Sequence, residues 1–115
     1  MNEQRRRHER IAVARPVVVQ TSSGMQIRAR LVNLSLGGAG IVYSAPAEHG
    51  AVLTLRFTIP VAERLVTLSL RSQVRHTHLR TDGHLIGFQF LDISDAETAA
   101  VRRFILSVKG MRTQE

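Results

Sequence analysis

The strongest constraint on the fold is a period-two hydrophobic pattern that recurs along the chain and gives way to a helical period only at the end. Leu53, Leu55, Phe57 and Ile59 alternate strictly with Thr54, Arg56 and Thr58. Successive side chains of a strand point to opposite sides, so such a segment has one face for a core and one for water. The same alternation runs through Ile27, Ala29 and Leu31 against Arg28 and Arg30, and through Val66, Leu68, Leu70 and Val74 up to His76. Shorter strand candidates are β-branched Val17 to Gln20 after Pro16, Ala39 to Tyr43, and Ile86, Phe88 and Phe90. Turn signals separate them: Ser22-Ser23-Gly24, a loop with Pro46 and Gly50, Pro60 as the expected end of its strand, and Asp82-Gly83 where a tight hairpin is wanted.

The period then changes. Ser94 and Glu97 form a capping box, Val101, Phe104, Ile105 and Val108 share one helical face, and Gly110 is the expected C-cap. Six short strands and one helix within 115 residues predict a single, mainly β domain. We expect a six-stranded antiparallel β-barrel, because closure removes exposed sheet edges, with the C-terminal α-helix covering one side or one mouth. Residues 1–10 read as a flexible basic arm, 11–110 as the barrel with its helix, and 111–115 as a tail. With only 4% aromatic residues the core rests on Val, Leu and Ile, and Phe57, Phe88 and Phe104 fall on core faces.

Composition excludes several classes of function. There is no cysteine, hence no disulfide and no thiolate metal site, which fits a reducing cytoplasm. No apolar run approaches bilayer thickness, so a soluble cytoplasmic protein without membrane insertion is expected. The formal charge is +7, and Lys109 is the single lysine among sixteen Lys and Arg. Non-specific attraction to polyanions is satisfied by lysine, whereas planar, bidentate or stacked recognition prefers arginine.

Two polar islands bracket the first apolar stretch: Arg5-Arg6-Arg7-His8-Glu9-Arg10 before it and Asn33-Leu34-Ser35-Leu36-Gly37-Gly38 after it. An arginine fork can read the O6/N7 edge of guanine, lie flat on a purine or hold a phosphate. The second island adds an amide, a hydroxyl and a glycine pair, which suits a turn where backbone approaches a flat ligand. In isolation the first is a solvated basic tail and the second an ordinary turn; together they suit a guanine nucleotide.

Arg6-Arg7-His8-Glu9-Arg10 fits RxxxR and Asn33 to Gly38 fits [D/N]xSxxG. With the strand pattern, the Gly87-Phe88-Gln89-Phe90 segment and the terminal helix, the whole chain resembles the PilZ domain, a bacterial receptor family for cyclic di-GMP. The resemblance implies that Arg6 and Arg10 grip guanine and phosphate groups while the arm wraps over the ligand. Asn33 and Ser35 would hydrogen-bond from the barrel surface, and Gly37 with Gly38 would form the glycine turn, Gly38 keeping the pocket floor clear. Asn33 stands where many members carry Asp. Arg5, immediately before RxxxR, implies an intercalated cyclic di-GMP dimer and so two ligands per chain. Ordering of the arm would change the surface shown to an unidentified downstream protein.

Arg75 and His76, near a strand end, come close enough in sequence pattern to reach such a ligand but are not assigned to it. His76, His78 and His84 lack the carboxylate a metal site would add, so no metal is expected. Gly37-Gly38-Ala39-Gly40 lacks the Gly-Lys-Ser/Thr of a P-loop, and Ser35 has no nucleophile-elbow context, so a binding protein rather than an enzyme is expected. The alternatives are a small basic barrel for single-stranded nucleic acid, disfavoured by the scarcity of aromatic stacking platforms, and a PilZ-like protein-interaction module.

Overall fold

The computed structural model describes residues 9–113. Its strands are β1 (Ile11–Gln20), β2 (Gln26–Leu34), β3 (Gly38–Tyr43), β4 (Val52–Val61), β5 (Arg64–Arg80) and β6 (Gly83–Phe90), followed by helix α1 (Asp95–Thr113). The strands form a closed antiparallel barrel in the order β1-β2-β3-β6-β5-β4, with β4 returning to β1. Four of the neighbouring pairs are sequential hairpins; the 44–51 loop carries the chain from β3 across to β4.

The alternation seen in the sequence decides which side of each strand faces in. Leu55, Phe57 and Ile59 of β4, Leu68, Leu70 and Val74 of β5, and Ile86 and Phe88 of β6 are all buried. Arg28, Arg30 and Arg56 lie between inward residues and are exposed. A slip of one residue in any pairing would exchange these faces, so the core itself fixes register.

The β1–β4 seam is short, with paired positions only from Val18↔Arg56 to Gln20↔Thr54. Beyond it α1 closes the wall. Val101, Phe104 and Ile105 are buried, and Phe104 lies beneath the Arg15 guanidinium, 5.9 Å from its ring centroid. Arg15 Nε also donates to the Thr58 carbonyl at 2.8 Å, bridging the strands where their ladder has stopped. The helix begins on the expected capping box: the Ser94 amide donates to Glu97 Oε1 at 2.9 Å and the Glu97 amide to Ser94 Oγ at 3.1 Å.

Three local expectations change. Pro60 does not end its strand; it pairs with Leu65, and β4 runs on to Val61. The β1 ladder has already ended there, so the missing Pro N–H falls on an edge without a strand partner. The β5–β6 loop is Thr81-Asp82, with Gly83 (φ 132°) opening β6 beside the Tyr43 carbonyl. Gly110 is not a C-cap, because α1 continues through it to Thr113. A glycine stops a helix by turning left-handed, and Gly110 is not among the positive-φ glycines. The Lys109–Glu9 ion pair, 2.6 Å, holds this part of the helix against the segment preceding β1.

Nothing lies within 4 Å of a Cβ built on Gly110. Gly110→Ala is therefore expected to stabilise the domain by roughly 0.5–1 kcal/mol, read from urea denaturation; a loss of stability would mean that a left-handed cap is needed there.

Candidate functional site

The two polar islands meet because β1 and β2 form a hairpin. Ile11 pairs with Leu34 and Ala12 with Asn33, which brings the residue before β1 beside the residues that end β2. Arg10 Nη1 donates to Asn33 Oδ1 at 2.8 Å across 23 residues of sequence. The Asn33 carboxamide rests on Gly40, and a Cβ at Gly40 would overlap it. Gly40 thus supplies the room that Asn33 occupies.

Beside this pair opens a cleft of about 370 Å³. Arg10 stands on one wall, the turn of Ser35, Leu36, Gly37 and Gly38 forms another, and Arg75 and His76 of β5 the third. The floor is Gly87 to Phe90 of β6, with Ile93 at the end. The volume lies near the low end of the roughly 300–1,000 Å³ usual for small-molecule sites.

The turn is held from within. Ser35 is buried; its Oγ accepts from the Gly37 amide at 3.2 Å and the Gly38 amide at 3.1 Å, and donates to the Gly38 carbonyl at 3.3 Å. A hydroxyl has one proton to donate and two lone pairs, so all three are engaged. The Ser35 amide also donates to the Gly38 carbonyl, and the Phe90 amide to the Gly37 carbonyl, which fastens the turn to β6. Gly38 lies so close to β6 that a Cβ on it would collide with the Phe88 carbonyl. The geometry therefore makes Ser35 and Gly38 the frame that presents the turn's backbone to the cleft.

Arg75 and His76 owe their common position to a β-bulge. The register moves from Val74↔Phe88 to His76↔Gly87, leaving Arg75 as an extra residue on β5. A regular strand would send the two side chains to opposite faces; the bulge leaves both exposed on the cleft side. Arg75 Nη1 donates to Gln89 Oε1 at 2.8 Å, which steadies the guanidinium over the floor. The His76 ring lies against Gly87, where a Cβ would overlap the imidazole. This partial burial is the main cause that lowers its pKa below the usual histidine value, and Arg10, His78 and His49 add to it.

Of the residues singled out from sequence, Arg10, Ser35, Gly37 and Gly38 line one cleft, and Asn33 joins it through Arg10. Arg5 and Arg6 lie outside the described residues. Arg75, His76, Gln89 and Gly40 were not assigned to a site from sequence. The available signal was that the apolar alternation of β5 ends at Val74 while the strand continues to Arg80. Among the described residues no helix is long and apolar enough to cross a membrane, and no three His, Cys, Asp or Glu side chains gather as a metal site.

The fold has counterparts in known proteins. The PilZ domain family model matches residues 4–107, and the chain belongs to this family. A crystal structure of YcgR from Escherichia coli in complex with c-di-GMP is similar at 25% identity and TM-score 0.77, over 96% of this chain and 48% of that one. The inhibitor of motility MotI/DgrA from Bacillus subtilis has the same fold, with 21% identity, TM-score 0.82 and coverage of 95% and 54%. The isolated PilZ domain of E. coli YcgR with c-di-GMP is covered end to end, 96% of each chain, at 20% identity and TM-score 0.72. The chain thus spans about half the length of the first two proteins. A search of curated protein sequences finds no match.

Replacing Ser35 by alanine leaves the Gly37 and Gly38 amides without their acceptor in a closely packed turn. Ser35→Ala should destabilise the domain by about 1–3 kcal/mol. Amide NMR shifts are expected to concentrate at 35–38 and at Phe90; an unperturbed spectrum and stability would show that the hydroxyl does not hold the turn.

Proposed function

We propose that this protein is a cyclic di-GMP receptor that acts by binding and not by catalysis. The observation that carries this reading is Arg10, held on Asn33 at the wall of a cleft that the Gly37-Gly38 turn and Arg75 complete. The ligand is a dianion with two guanine faces. It calls for guanidinium groups that stack on or pair with it, and for hydrogen-bonding groups that read the guanine edge. Arg10 and Arg75 supply the cations, the turn of Gly37 and Gly38 a backbone wall, and Gln89 a further hydrogen-bonding amide beside Arg75. The bound c-di-GMP in the E. coli YcgR structure, at 25% identity, supports the same ligand here.

In this reading Arg6 and Arg10 contact guanine and phosphate, and the arm of residues 1–10 orders over the ligand. Arg5 engages a second molecule, so that an intercalated dimer is bound. Ordering is a population shift, in which ligand contacts offset the entropy lost by the arm. Its base is well placed to transmit the change, since Glu9 is paired with Lys109 of α1 and Arg10 with Asn33. The altered surface is read in the cytoplasm by a downstream protein. The Ser35 contribution is indirect, through the turn, because its hydroxyl is already saturated.

Loss of one bidentate arginine–guanine contact costs about 1–3 kcal/mol, roughly 5- to 150-fold in affinity. Calorimetric titration with cyclic di-GMP should therefore show Arg10→Ala weakened by that factor with its thermal stability intact; equal affinity in the variant would remove Arg10 from the site. The same titration should saturate at two ligands per chain in the parent and at one in Arg5→Ala. Saturation at one in the parent would dispose of the dimer.

A further inference from the structure

We propose, on the footing of the receptor reading, that His76 is a ligand contact which takes up a proton as the anionic nucleotide binds, so that the cleft holds its ligand more tightly as pH falls. The position is built for this residue. The β5 bulge turns His76 onto the cleft wall beside Arg75, and the absence of a side chain at Gly87 admits its ring.

The groups that face it come from three elements. Arg75 and His78 lie on its own strand, with the His78 ring centroid 5.8 Å away; Arg10 comes from the segment before β1; His49 comes from the 44–51 loop. The β6 residues beneath and beside it, Gly87 and Gln89, do not titrate. All the titratable neighbours are cationic when charged, and with partial burial they favour neutral imidazole in the protein alone. A phosphodiester in the same cleft reverses the balance. Its charge offsets the field of Arg10 and Arg75, and its oxygens accept from an imidazolium N–H, so a proton taken from solvent is retained in the complex.

The sign follows from linkage. The complex binds more protons than the free protein between the two His76 pKa values, so affinity rises as pH falls through the bound-state value. It levels off below the free-state value. For one proton the steepest slope is about tenfold in Kd per pH unit.

The test is calorimetry of the full chain with cyclic di-GMP at several pH values between about 5 and 8, the span over which histidine titrates. Two buffers of different ionisation enthalpy at each pH count the protons taken up. His76→Gln and His78→Gln are run beside the parent, and the His76 ring proton is followed by NMR with and without ligand. We expect Kd to tighten by about fivefold or more per pH unit at the steepest point, with proton uptake approaching one. The slope should persist in His78→Gln and vanish in His76→Gln, and the His76 NMR titration should move to higher pH on binding. A flat slope in the parent, or an unchanged slope in His76→Gln, overturns the proposal alone. No binding at any pH overturns the receptor reading and this proposal with it.

Discussion

The register of the β1–β2 hairpin is the constraint on which the rest of the molecule depends. It is set by the demand that Ile11, Val17, Val19, Leu31 and Leu34 all face one core. Once that demand is met, Arg10 must lie beside Asn33, and the turn after β2 must pass over β6. The hydrophobic effect, which knows nothing of a ligand, thereby determines where the polar groups of the cleft converge. A slip of one residue would bury arginines and expose the core, at a cost far greater than any contact in the cleft could return.

The cleft is shaped more by missing side chains than by present ones. Gly38 admits the Phe88 carbonyl, Gly40 admits the Asn33 carboxamide, and Gly87 admits the His76 ring. Each glycine serves a close approach, and none of the three needs positive φ. Irregularities in pairing do the remaining work. A shift between β2 and β3 falls at Leu31/Asn33, and the β5 bulge at Val74/His76, so both depart from a regular ladder where a polar side chain must be re-aimed.

In the proposed receptor reading, the output has a physical route that starts at the same place. Glu9 and Arg10 are neighbours in sequence, yet one is paired with the terminal helix and the other with the end of β2. The Glu9–Lys109 pair is exposed and by itself contributes little to stability. Its value lies in geometry: the base of the N-terminal segment is attached at two points, so a ligand that draws on Arg10 acts close to the helix as well as on the hairpin.

Much of the architecture was legible because burial imposes periodicity. Period two in β2, β4 and β5, the Ser94–Glu97 box, and the face of Val101, Phe104 and Ile105 each describe a local solution to hiding apolar surface, and each appears in the fold. The roles of Pro60 and Gly110 were misjudged for one reason. A proline or glycine signal acts only through the backbone around it, and neither the end of the β1–β4 ladder nor the backbone angle of Gly110 is written in neighbouring residues. By itself the sequence determined the number of elements, their inward faces, the RxxxR and [D/N]xSxxG motifs and hence the family. Only the tertiary structure decided that Ser35 is saturated within its turn, that Asn33 holds Arg10, and that a bulge delivers Arg75 and His76 to the same cleft. Those outcomes depend on which strand lies beside which, and strand neighbours are chosen by closure of the whole barrel.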